Sequence, residues 1–152
     1  MWKTLNEVPV PDLEAFVKEA AKDGQTVHVG TDSLQTGRYT QFVTVVVIHT
    51  PMKGGRAIYR REKVARITSL RERLLKEVWK SVTTALEITG VLKGDLFVHI
   101  DANPVVKHAS SKYIQELVGM VVGQGFKAKV KPEAFCASTV ADHVVRHLGK
   151  VA

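Results

Sequence analysis

The sequence predicts an α/β domain: a five-stranded mixed sheet in the order 3-2-1-4-5, helices on both faces, and an extra helix ahead of the first strand. Three observations lead there. Strand-like apolar runs first follow one another directly, then alternate with helical patterns. Connections within the first group are short and rich in turn residues, whereas those in the second are long enough to hold helices. Two of the runs end on an aspartate, Asp32 and Asp101. A carboxylate at the carboxyl end of a buried strand is costly unless it is paired or holds a metal.

The chain has 152 residues, enough for one domain (residues 1–152) that buries its own core. Apolar residues make up 45% and charged residues 24%, as in soluble globular proteins. Cys136 is the single cysteine, which excludes an internal disulfide and suits a reducing cytoplasm. No basic-then-apolar signal pattern opens the chain, and the stretch Phe42 to Ile48 is too short to span a membrane. The net charge of +7 points toward a polyanionic partner such as nucleic acid, although many basic proteins bind none.

Taken in order, Asp12 to Lys22 places Leu13, Phe16, Val17, Ala20 and Ala21 at helical spacing between Pro11 and Gly24. Three strands follow, Thr26 to Ser33, Gln41 to Thr50 and Arg56 to Val64, joined by segments short enough for hairpins. Ser69-Leu70-Arg71-Glu72 has the capping-box pattern. It opens a long helix with Leu70, Leu74, Leu75, Val78, Val82 and Leu86 on one face, stopping near Gly90. Leu96 to Asp101 is the fourth strand, Ser110 to Gln124 a helix, Phe126 to Val130 the fifth strand, and Ser138 to Leu148 a final helix.

Strand four returns beside strand one by a helical crossover, and strand five lies beside four. Connections leave strands one and four toward opposite sides. The crevice between their carboxyl ends is therefore a topological switch point, where open α/β sheets bind ligands. Asp32 and Asp101 sit there. Level decides which helical acid joins them. Descending strand four from Asp101 to Leu96 covers about 17 Å at ~3.3 Å per residue. Climbing from Thr89 to Glu77 recovers about 18 Å at ~1.5 Å per residue, and Glu72 overshoots by roughly 7 Å. Glu77 is preferred. Asp142 falls in the first turns of the last helix, capped by Ser138, as either a fourth member of the cluster or simple complementation of the helix dipole. Acids converging in this way repel one another unless divalent cations neutralise them, and all-oxygen donors suit Mg2+ or Mn2+. Two such ions are a recurrent device for phosphodiester cleavage.

These features resemble the ribonuclease H-like superfamily across almost the whole chain. More closely, Gly30-Thr31-Asp32-Ser33, Arg73-Leu74-Leu75-Lys76-Glu77-Val78-Trp79, Gly119-Met120-Val121-Val122-Gly123, Lys131-Pro132 and Val140-Ala141-Asp142 resemble the uncharacterised YkuK-type family. The superfamily resemblance implies a metal-dependent nuclease with Asp32, Glu77, Asp101 and Asp142 as ligands, acting on DNA, RNA, a hybrid or a junction. It equally accommodates non-catalytic members. A junction enzyme would be a homodimer. The initial helix is an addition to the minimal layout, and Lys131 to Ala137 lacks the histidine that some ribonucleases H place there.

Other residues carry two readings each. His28 and His99 alternate onto the faces of Asp32 and Asp101, either orienting the ligands or forming a buried core pair. Arg60, Arg61, Lys63, Arg66, Arg71, Arg73 and Lys76 form either solvated surface or a phosphate-tracking groove. The helix start at Ser110-Ser111-Lys112-Tyr113 offers either a phosphate site with a stacking tyrosine or an ordinary capped end.

Overall fold

A computed structural model describes residues 1–102, 109–131 and 133–134. Its described strands form one seven-stranded mixed sheet, not five: β1 (Trp2–Thr4), β2 (Pro9–Val10), β3 (Thr26–Thr36), β4 (Tyr39–Thr50), β5 (Gly54–Ala65), β6 (Leu96–Ile100) and β7 (Lys127–Val130), in the order β2-β1-β5-β4-β3-β6-β7. The five strands read from sequence are β3 to β7, and their relative order is the expected one. The two additions form a small antiparallel hairpin ahead of α1 that pairs with β5 through Lys3–Tyr59 and Thr4–Ile58. Strands of three and two residues are too short to show a period of two. Packing, not pattern, holds them: Trp2 and Val10 are both buried, and Arg60 lies 4.9 Å over the Trp2 ring.

The β3–β4 hairpin runs further than its apolar run suggests. It continues to the Thr36–Tyr39 pair, closed by the two-residue turn Gly37-Arg38 with Gly37 at φ 57°. A positive φ at the first central position matches the right-handed strand twist, and glycine adopts it without strain. Asp32 therefore does not end its strand. It sits inside β3, opposite Val43. What does end there is the pairing with β6, whose last rung is Gly30–His99.

Among the described residues, three α-helices cover one face of the sheet: α1 (Leu13–Ala20), α2 (Leu70–Ile88) and α3 (Ile114–Gly123). Asp12 caps α1, accepting from the Ala15 amide at 3.0 Å, and Ser69 caps α2, accepting from the Glu72 amide at 3.2 Å. Val27, Val29, Val46, Ile48, Ile58, Val98 and Ile100 of the sheet pack against Val17, Leu74, Val78, Val82, Ala85, Leu117 and Val121 of the helices. The buried face of α2 extends to Ile88 rather than Leu86, which is 46% exposed, because a 3.6-residue period drifts off a strict i, i+4 row. Hydroxyls buried between sheet and helix find one another. The Thr31 hydroxyl lies 2.7 Å from that of Ser81 and 3.1 Å from that of Thr44.

The third helix also starts later than expected. Ala109–Tyr113 is a 3-10 turn, α3 begins at Ile114, and Tyr113 packs against the core. A short 3-10 segment is a weaker anion site than the helix amino terminus the sequence suggested. The final helix predicted for Ser138 to Leu148, with Asp142 and His143, and the loop after Ala102 lie outside the described residues. So does Cys136.

Candidate functional site: a trio of carboxylates

Register brings the two aspartates level. Gly30 pairs with His99, and each aspartate stands two residues further along its own chain, Asp32 within β3 and Asp101 immediately after β6. Glu77, two turns into α2, reaches the same place. One ligand oxygen from each of Asp32, Glu77 and Asp101 lies within 4.8 Å of the others. Glu72, its competitor on α2, is exposed in the first helical turn. The structure thus gathers three of the four acids read from sequence, and the fourth, Asp142, lies outside the described residues.

The three carboxylates differ in environment. Glu77 is 5% exposed, and Asp32 and Asp101 are partly exposed. Burial first, then the charges of Asp32 and Asp101, push the Glu77 carboxyl well above the usual range. Opposing them, the Ser33 hydroxyl donates to Glu77 Oε2 at 2.5 Å, and Arg73, one turn earlier on α2, adds a favourable charge. The Ser33 amide donates to Asp32 Oδ1 at 2.8 Å, so one residue steadies two of the acids. Lys131, just past β7, places Nζ 2.7 Å from Asp101 Oδ1, and this hydrogen bond raises the lysine pKa. Spacing gave no hint of that lysine contact, because it depends on where β7 ends relative to β6.

Oxygen-only donors converging within a few ångströms could hold a hard divalent cation. A cation there would offset the carboxylate repulsion that adds to burial in raising Glu77.

The histidines form a buried pair with each other. His28 Nδ1 lies 2.7 Å from His99 Nε2, and His28 Nε2 lies 3.3 Å from the Thr26 hydroxyl. Burial lowers both pKa values to about 4, so the pair is neutral. Much of the basic run is spent internally. Lys80 and Arg60 both pair with Glu62, Arg66 donates to the Gly37 carbonyl at 2.8 Å, and Arg71 joins Glu116 of α3 through a two-nitrogen contact. These contacts engage Arg60, Arg66 and Arg71 of the run.

A mixed sheet carrying this acid cluster at its switch point defines a class, and the comparison with known families agrees. The chain belongs to the ribonuclease H-like family, whose model matches residues 9–146. It is similar to the uncharacterized protein YkuK of Bacillus subtilis (strain 168). The two are 29% identical over 149 residues, spanning 88% of this chain and 87% of that protein. Two solved structures are also similar. RNase H1 from the halophilic archaeon Halobacterium salinarum NRC-1 has a TM-score of 0.45 at 15% identity, covering 80% of this chain and 98% of its own. The N-terminal RNase H domain of a Mycobacterium tuberculosis protein, solved as a fusion with maltose-binding protein, has a TM-score of 0.43 at 14% identity, covering 82% and 99%.

Proposed function

We propose that the protein is a metal-dependent nuclease that hydrolyses phosphodiester bonds of nucleic acid. The observation that carries this reading is the meeting of Asp32, Glu77 and Asp101 within 4.8 Å in a chain of the ribonuclease H-like family. These residues, with Asp142 as the fourth ligand, are the donors for Mg2+ or Mn2+. When bound, a pair of such ions supplies an activated water for in-line attack and stabilises the leaving oxygen. The chain's own contribution is placement. Asp32 is fixed by the β3–β4 ladder, Ser33 aims Glu77, and Lys131 offers a positive charge beside a cluster that would otherwise repel its substrate. The net charge of +7 serves the same end. The one-domain layout and the lone cysteine suit a reducing cytoplasm, and no described helix is long and apolar enough to cross a membrane.

Asp32→Asn tests the reading. The variant should fold, by circular dichroism and thermal melting, yet lose Mg2+- or Mn2+-dependent cleavage of labelled DNA, RNA and hybrid substrates. Equal activity in the variant rejects the mechanism. A second reading, a non-catalytic nucleic-acid-binding or scaffolding module, draws on the Lys131–Asp101 ion pair, which balances part of the acidic charge from within the chain. It predicts binding that survives Asp32→Asn and no cleavage by the wild type.

A further inference from the structure

The parallel β6–β7 pair carries a second pattern on the face opposite the three helices. Phe97 pairs with Lys127 and His99 with Lys129, and the next rung of the same alternation brings Asp101 to Lys131 at 2.7 Å. Lys127 and Lys129 thus stand on one face of β7, about 6.6 Å apart along the strand, with Lys131 just beyond its end. They form a line that ends at the carboxylates. Lys127 makes an exposed ion pair with Asp95 at 3.3 Å and lies 5.6 Å from the Phe97 ring centre, and exposed pairs contribute little. Lys129 rests 4.5 Å from the Phe97 ring centre. These contacts are weak enough for a phosphate to replace.

Beside this line is a cavity of about 520 Å3, lined among the described residues by Thr26, His28, His49, Phe97, His99 and Lys129, with Glu133. Its walls suit a flat heteroaromatic ring. Phe97 and His28 are stacked at 5.2 Å with planes 14° apart, forming an aromatic wall. His99 is 3% exposed, and its Nδ1 is buried without a hydrogen-bond partner among the described residues. A buried polar atom left unpaired costs free energy that a ligand's polar edge would recover. Glu133 offers an acceptor that suits an amino group rather than a phosphate.

We propose that this face is a track for single-stranded nucleic acid, with phosphates along Lys127, Lys129 and Lys131 and an unstacked base in the Phe97–His99 cavity, one side-chain repeat from the carboxylates. The proposal rests on the nuclease reading and narrows its substrate class. A base can enter such a cavity only if it is unpaired, as in single strands, loops or frayed ends. Aromatic walls with a cationic track are the usual chemistry for holding such strands.

Binding is measured by fluorescence anisotropy of labelled single-stranded DNA, single-stranded RNA of the same sequence, and their duplexes, with Ca2+ in place of Mg2+ to suppress turnover. Both single strands should bind more tightly than the duplexes, and the DNA and RNA arms show which sugar is preferred. The exposed double variant Lys127→Glu/Lys129→Glu should abolish the preference. Lys129→Gln should reduce the steepness of log K against log salt by about 0.7. An abasic site in the strand should weaken binding by about tenfold. Preference for duplex, an unchanged salt slope or indifference to the abasic site would overturn the proposal. Cleavage distinguishes the two readings: a protein that binds single strands through these lysines but never cuts refutes the nuclease and keeps the track.

Discussion

Ser33 donates its hydroxyl to Glu77 at 2.5 Å, and Glu77 is the most buried of the three clustered acids. That single bond works against both burial and the charges of Asp32 and Asp101. Ser33→Ala should raise the Glu77 pKa further and cost about 1–3 kcal/mol of stability where Glu77 is ionised. Urea denaturation followed across pH measures the cost. In a Glu77→Gln background the same substitution should cost less, and an equal loss in both backgrounds would show that the bond to the carboxylate is not the cause.

Because the folded-state pKa of Glu77 lies above 4.5, the folded protein keeps a proton that the unfolded chain releases. Stability in the presence of EDTA should therefore fall as pH rises from 4.5 through the folded value, then level off. Glu77→Gln removes this decline. The difference between the two denaturation midpoints, followed with pH, isolates the carboxyl from every other titrating group.

His28 and His99 act in the opposite direction. Their pKa values are lowered from 6.5 to about 4, so the unfolded chain takes up protons first as pH falls. Their contribution is complete above pH 6.5 and is lost as pH drops toward 4. Histidine proton resonances should show two rings that remain neutral near pH 5, and a His28→Gln/His99→Gln variant should lose this part of the acid sensitivity. Rings that titrate near 6.5 would contradict the buried pair.

Divalent ions should stabilise the folded protein by mass action. At a Mn2+ concentration about one hundred times the dissociation constant, the gain is ~2.7 kcal/mol. It is read as a rise in Tm that Asp101→Asn strongly reduces. A wild-type Tm indifferent to Mn2+ and Mg2+ would count against the metal centre independently of any activity assay.

Much of this site can be read along the chain because it rests on regular elements. Strand rise and helix rise alone put Glu77 level with Asp101, and the structure brings both to Asp32. The crossover logic orders β3 to β7 because each strand carries its own apolar run. Features that depend on how chain ends meet were not legible. The Lys131–Asp101 contact depends on the relative lengths of β6 and β7, and the β1–β2 hairpin has too few residues to display a pattern. Side-chain partners were legible only in part. Arg66 donates to the Gly37 carbonyl and Arg71 to Glu116, both brought from elsewhere in the fold, whereas Arg60 pairs with Glu62 on its own strand.

The two rims of the sheet are unlike each other. One is β2, two residues long and opened by Pro9, which offers almost nothing for another strand to pair with. The other, among the described strands, is β7, where Lys127 and Lys129 alternate along an otherwise apolar segment. Repeated lysines on a border strand discourage edge-to-edge association between molecules. The β7 lysines therefore carry two constraints at once. Substitutions that retune ligand binding by removing their charge also strip the border of its protection, and the first sign of such a change would be self-association during expression or storage.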